Sequence, residues 1–169
     1  LGGHCIPIDP YYLAWKGNKI GVKTKFIKLA GKINSSVPYR IVKKIKKILK
    51  KIKISNPKIL VLGIAYKKNV NDLRESPGIK IIDLLRKNKL KVSYCDPFIS
   101  KIPVLRNYNL KLKSIKINSQ ILKKFDLTII ATDHDKFNYN LIYKFSNLIL
   151  DTRGIYKYDK KNKIITNFY

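Results

Sequence analysis

The chain is poor in several things, and each shortage excludes something. It has no methionine at position 1 or anywhere else. That points to a chain whose true start lies upstream, a fragment of something longer. It opens with Leu1-Gly2-Gly3 rather than a basic stretch followed by an apolar one, so no signal peptide is expected. No apolar run approaches the roughly 18 residues of a membrane span, and no membrane partner is expected. There are two cysteines, Cys5 and Cys95, far apart in unlike contexts. A secreted disulfide scaffold is shorter and denser in cysteine, so reduced thiols and a cytoplasmic location are expected. No internal repeat is visible.

Acidic residues are the other shortage: ten, against 37 basic ones, for a formal net charge of +27. Such a balance raises the question of a nucleic-acid partner. Two features argue against it. Only five of the 37 basic residues are arginine, leaving 32 lysines, whereas base readout and bidentate phosphate clamps prefer arginine. The lysines are also spread over the whole chain rather than gathered in one arm. Compositional drift towards Lys, Ile and Asn is the simpler account, and a basic nucleic-acid-binding domain is the least favoured of the functional readings.

What is present is a foldable chain. Its 169 residues are 45 % hydrophobic, enough for one compact domain with an appendage. Residues 1–23 hold a Gly-rich entry, a His-Cys pair and an aromatic stretch from Pro10 to Trp15, punctuated by Gly17 and Gly21. Residues 24–34 have helical spacing. Ser35-Ser36 before Pro38 reads as a second helix start. From there Val37, Ile41, Val42, Ile45, Ile48, Leu49 and Ile52 form one apolar stripe with lysines opposite, and the helix ends near Ser55-Asn56-Pro57. Its lysines read by default as a solvated face.

After Pro57 the texture changes. The run Ile59 to Ala65 suits a strand buried on both faces. Ser76-Pro77 starts a helix that buries Ile79, Ile81, Ile82 and Leu85. Further strands are expected at 91–95, 127–131 and 148–150, with a helix at 138–145; residues 101–118 resist assignment. This alternation implies an α/β fold, a Rossmann-like parallel sheet with flanking helices, preceded by a helical connector packed outside it. The expected domains are 1–56 and 57–169. Three strand ends place polar residues just past the carboxyl edge: Tyr66-Lys67, Asp133-His134 and Arg153. In open α/β sheets ligands bind at that edge.

Two segments carry chemistry. Leu1-Gly2-Gly3-His4-Cys5-Ile6-Pro7-Ile8-Asp9 puts two glycines, which allow close backbone approach, before a cysteine with a carboxylate four residues later. A thiolate can capture an aldehyde covalently, and a carboxylate can position or deprotonate water. The plainer alternative is a small buried cysteine, and His4 alone reads more readily as a polar-network histidine than as a base. The second segment, Gly63 to Pro77, links a strand to a helix, where phosphate binding would be expected. It lacks G-x-G-x-x-G, so it is not a standard dinucleotide loop. It offers Lys67 and Arg74 instead, cations suited to diphosphates; the plainer alternative is a long loop with solvated charges.

Together the segments resemble the UDP-glucose/GDP-mannose dehydrogenase family, in the branch acting on UDP-N-acetylhexosamines. The shared patterns are G-G-H-C-I-P-x-D-P at 2–10 and A-Y-K-K-N-x-x-D-x-R-E-S-P at 65–77. Ala131-Thr132-Asp133-His134-Asp135 and Asp151-Thr152-Arg153-Gly154 match in the same order, and the resemblance is weakest at 101–125. It implies that Cys5 is the nucleophile and that Asp9 assists water and the thiol. Leu1, Gly2, Gly3, Tyr66, Lys67 and Arg153 would contact the UDP-sugar, and Arg74 the NAD pyrophosphate; no metal is implied. The implied reaction oxidises the sugar C6 alcohol to the acid with two NAD through a cysteine thiohemiacetal and thioester, in polysaccharide biosynthesis. A homo-oligomer is implied, and the N-terminal NAD-binding domain is missing, so the chain alone is not expected to turn over. The alternative is a noncatalytic sugar-nucleotide-binding remnant.

Overall fold

The hydrophobic pattern resolves into a five-stranded, all-parallel sheet of order β2-β1-β3-β4-β5 in the computed structural model, which describes residues 1–157 and 163–165. The strands are β1 (Lys58–Leu62), β2 (Lys91–Cys95), β3 (Leu127–Ile130), β4 (Ile149–Asp151) and β5 (Ile164–Ile165). β1 is central: Leu62 lies beside Cys95 of β2 on one side and Ile130 of β3 on the other. It is buried from Ile59 to Leu62, as a strand covered on both faces must be. β5 pairs with β4 through Ile149 and Ile164 and was not expected from the sequence. The expected end of the second domain, at 169, lies outside the described residues.

Alternate residues of β1 feed two cores. Ile59 and Val61 pack with α2 (Lys25–Ile52) and α3 (Pro77–Lys87) through Ile45, Leu49, Ile79 and Ile82. Leu60 and Leu62 pack with α4 (Ser119–Leu122) and α5 (Tyr139–Phe145) through Leu122 and Ile142. The result is three layers, helix–sheet–helix, with right-handed crossovers expected of such connections.

The helical part differs from expectation in three ways. α1 (Asp9–Lys19) is a helix where only an aromatic stretch was read. Its signals were local: Asp9 and Pro10 in the first turn, Lys16 and Lys19 in the last, and Gly21 just beyond. Secondly, the two helices expected around Ser35-Ser36 are one: α2 runs through Pro38. Proline costs the helix one bond to the carbonyl four residues back. Pro38 is nonetheless buried, and the Ser36 hydroxyl donates to the Ile33 carbonyl at 2.7 Å within the same turn. The C-terminal end of α2 agrees with the sequence, stopping at Ile52 on the left-handed Lys53 (φ 53°), close to the expected Ser55-Asn56-Pro57. Thirdly, its second half is more than a connector, because Ile41, Val42, Ile45 and Leu49 belong to the sheet's own core.

Candidate functional site

The loops after β1, β3 and β4 leave the carboxyl edge of the sheet and carry the cations and carboxylates of the site. The first begins at Gly63, whose φ of +73° suits glycine. Ser76 closes it: its hydroxyl donates to the Ile64 carbonyl at 2.6 Å and accepts from the amides of Gly78 and Ile79 at 3.1 and 3.4 Å. The first free amides of α3 are therefore already taken and buried. A phosphate cannot use that helix end in the manner of a dinucleotide loop. What the loop presents instead is Tyr66, Lys67 and Arg74.

The N-terminal segment lies against this loop. The Gly3 amide donates to the Arg74 carbonyl at 2.9 Å. A Cβ on Gly2 would come within 2.5 Å of the Glu75 carbonyl oxygen, and one on Gly3, where φ is +91°, within 2.7 Å of the Tyr66 ring. The close approach that these glycines permit is thus to the second motif. Cys5 is exposed in a turn, its carbonyl accepting from the amides of Ile8 and Asp9 at 3.0 and 2.8 Å. Its Sγ lies 4.0 Å from His4 Nδ1. Asp9 opens α1, is exposed, and stands outside the lining of the cleft described next.

Leu1, Gly2, Gly3, Cys5, Tyr66, Lys67, Arg74 and Arg153 all line one open cleft of about 1680 Å³. Two carboxylates orient its arginines. Asp72 accepts from Arg74 Nε at 2.9 Å and from its terminal nitrogen at 2.7 Å. That bond holds the Asp72 carboxyl below the usual range and raises the guanidinium, to which the nearby Tyr66 and Cys5 also contribute. Asp133 accepts from Arg153 Nε at 2.7 Å. The Arg153 backbone is pinned in turn, because Asp151 Oδ1 accepts from the amides of Arg153 and Gly154, both at 2.9 Å. Among the described residues no side chain pairs with Lys67.

Three features of the site escaped the sequence reading. One wall of the cleft is α2, which contributes Arg40, Lys43, Lys47 and Lys50. These four are exposed, as a solvated face should be, but they also border the cleft, and burial lowers the pKa of the adjacent Lys44. The second is Asp96, at the end of β2, buried and accepting five hydrogen bonds, from Ile64, Ala65, Phe98, Ile99 and His134. Burial alone would push its carboxyl up, but the bonds from His134, Ile64 and Phe98 outweigh that and hold it below the usual range. The third is His134 itself, fully buried. Asp133-His134 was visible as a polar strand end, but nothing local tells that it bonds to the residue after another strand.

The model of the UDP-glucose/GDP-mannose dehydrogenase family's UDP binding domain matches residues 60–158, and that of the family's central domain matches residues 1–36. The chain belongs to this family. A UDP-N-acetyl-D-mannosamine dehydrogenase from Methanococcus vannielii is 36 % identical over 164 residues, covering 92 % of this chain and 35 % of its own length. One from Campylobacter jejuni is 34 % identical, covering 81 % of this chain and 32 % of its own. The UDP-D-ManNAc dehydrogenase structure from Pyrococcus horikoshii aligns with a TM-score of 0.74 at 28 % identity, over 96 % of this chain and 37 % of that one. A GDP-mannose dehydrogenase from Pseudomonas aeruginosa shares the fold at a TM-score of 0.75 and 17 % identity, over 97 % and 38 %. This family chain thus spans about a third of the length of the relatives it matches. Among its described residues no helix is long and apolar enough to cross a membrane, and no three His, Cys, Asp or Glu groups gather as a metal site.

Proposed function

We propose that this chain is the substrate-side part of a nucleotide-sugar 6-dehydrogenase that oxidises the C6 alcohol of a UDP-N-acetylhexosamine to the acid. The observation that carries the reading is the meeting of the two motifs: the Cys5 turn and the Lys67–Arg74 loop share one cleft, joined by the Gly3–Arg74 backbone bond. The hexosamine is favoured because relatives that match 92 % and 81 % of this chain are named UDP-N-acetyl-D-mannosamine dehydrogenases. In this reading residues 1–56 carry the nucleophile and residues 57–169 the UDP-sugar site, with the second half of α2 shared between them.

Lys67 and Arg153 are assigned to the diphosphate, each as a charge-assisted donor. Tyr66 and the backbone of Leu1, Gly2 and Gly3 are assigned to the sugar side. Cys5, as thiolate, adds to the carbonyl carbon of a C6 aldehyde; a C–S bond forms and the oxygen takes up a proton, giving a thiohemiacetal. At the thioester stage water adds to the same carbon, the C–S bond breaks, and sulfur leaves with its electron pair. Asp9, whose amide donates to the Cys5 carbonyl at 2.8 Å but whose position is exposed and outside the cleft lining, is assigned to that water only once the cleft is completed by the rest of the enzyme. Covalent capture keeps a reactive aldehyde from escaping.

Among the described residues none forms an NAD cradle: the β1–α3 loop lacks the glycine pattern, and the amides of Gly78 and Ile79 are taken by Ser76. NAD, the hydride acceptor, is therefore assigned to a separate NAD-binding domain, with Arg74 reaching towards it. A surface suited to that domain, or to a second copy in a homo-oligomer, exists along α1 and the first half of α2. There Trp15, Phe26 and Ile33 are apolar and exposed, Phe26 by 86 %, more than isolated surface residues require.

The test is calorimetric titration of the chain with UDP, NAD and inorganic diphosphate at about 0.15 M salt, where nonspecific attraction is screened. UDP is expected to bind with a Kd on the order of 0.1–1 mM, about 4–5.5 kcal/mol, and NAD more weakly. Diphosphate binding as well as UDP, with Lys67→Ala and Arg153→Ala changing neither, would remove the specific site.

A further inference from the structure

His134 has no part in the chemistry assigned to Cys5 and Asp9, yet it is fully buried. Its ring nitrogens are both engaged. Nδ1 is 2.9 Å from the Asn69 amide, which can only donate, so Nδ1 accepts and carries no proton. The proton is then on Nε2, which donates to Asp96 Oδ2 at 3.0 Å. Nδ1 thus serves as acceptor and Nε2 as donor, and the Phe98 and Phe137 rings, with centroids at 5.0 and 5.6 Å, pack against the imidazole.

The two bonds grip both ends of one short stretch. Asp96 Oδ2 also accepts from the amides of Ile64 and Ala65, at 2.7 and 3.2 Å. Asn69, at the far end, is held by Nδ1. Tyr66 and Lys67 are bracketed between. The turn that carries His134 makes further ties to the same stretch: the Thr132 hydroxyl donates to the Ala65 carbonyl at 2.6 Å, and the Asp135 amide donates to Asn69 Oδ1 at 3.0 Å. The residue between Thr132 and His134 is Asp133, which holds Arg153. One turn therefore determines where both diphosphate cations stand.

We propose that His134 is a positioning residue: by locking the 64–69 stretch to the Asp133 turn it sets the span between Lys67 and Arg153, and so selects a nucleoside diphosphate over a monophosphate. The inference rests on the nucleotide site argued above. Two cations held at a fixed separation reward a ligand that reaches both, whereas a monophosphate meets one at a time.

The experiment compares UDP and UMP affinities by calorimetry in the wild type, His134→Gln and His134→Phe, with the exchange rate of the Asn69 amide followed by NMR in each. His134→Gln can keep the donor to Asp96 while losing the acceptor for Asn69; His134→Phe loses both but keeps an aromatic ring among Phe98 and Phe137. The wild type is expected to favour UDP over UMP by about tenfold or more, the worth of one charge-assisted contact. In His134→Gln that ratio is expected to fall most of the way to unity while Asn69 exchange speeds up. A loss of affinity from general destabilisation would lower both ligands together and leave the ratio standing. If the ratio persists in folded His134→Gln, the proposal is overturned, whether or not His134→Phe folds. If the wild type itself binds UDP and UMP equally, the nucleotide-site reading and the selectivity claim fail together. The clamp is then judged separately, and unchanged Asn69 exchange in His134→Gln refutes it.

Discussion

Gly63→Ala tests how tightly the ligand edge is built. Gly63 ends β1 at φ +73°, and a Cβ there would lie 2.3 Å from the Thr132 carbonyl oxygen and 2.6 Å from its Cβ. Both neighbours belong to the turn after β3, so relief requires the carboxyl ends of two paired strands to part. Gly154 is the internal control: its φ is +72°, but among the described residues nothing lies within 4 Å of its added Cβ. The left-handed backbone costs an alanine about 1–2 kcal/mol at either position. The clash at Gly63 adds about 1–3 kcal/mol, the usual penalty of overpacking a rigid site. Gly63→Ala should thus lose about 2–5 kcal/mol and Gly154→Ala about 1–2, out of a total of roughly 5–15. For a chain of this size that is a fall in Tm of about 2–4 °C for each kcal/mol. Thermal and urea unfolding of both variants measure it. Equal losses, within about 0.5 kcal/mol, would show that the Thr132 contact relaxes freely and that the edge is not tightly built.

Other expectations follow from the same geometry. Supplied with the remaining, NAD-binding part of a relative, Cys5→Ser should abolish formation of the uronic acid, and full conversion by that variant, measured by product chromatography, would contradict the nucleophile role. Lys67→Ala and Arg153→Ala should each weaken UDP binding by about 1.5–3 kcal/mol, tenfold or more, read by calorimetry. The Asp96 carboxyl is depressed in the folded state, so its contribution to stability is present above the unfolded carboxyl's value near 3.9 and is lost as pH falls through the lower folded value. Stability should therefore drop on the acid side, and Asp96→Asn should flatten that limb while lowering stability at neutral pH, as seen in urea melts across pH.

The sequence by itself determined whatever depends on neighbours in the chain. The apolar run at 59–65 suited a strand covered on both faces, and Ser76-Pro77 suited a helix start, because burial pattern and capping are local. The two motifs were legible as chemistry for the same reason: a cysteine after two glycines, and cations between strand and helix, need no fold to be recognised. Even the missed α1 had written its ends in Asp9-Pro10 and the closing lysines. Only the tertiary structure decided that α2 continues through Pro38, where packing of a buried face outweighs one lost hydrogen bond. It alone turned the lysine face of α2 into a cleft wall. It also joined Asp96 to His134 and His134 to Asn69, partners 38 and 65 residues apart. Bonds of that span leave no periodic trace in a sequence; they exist because parallel strands deliver their carboxyl ends to one edge, where the groups that no strand can pair must find each other.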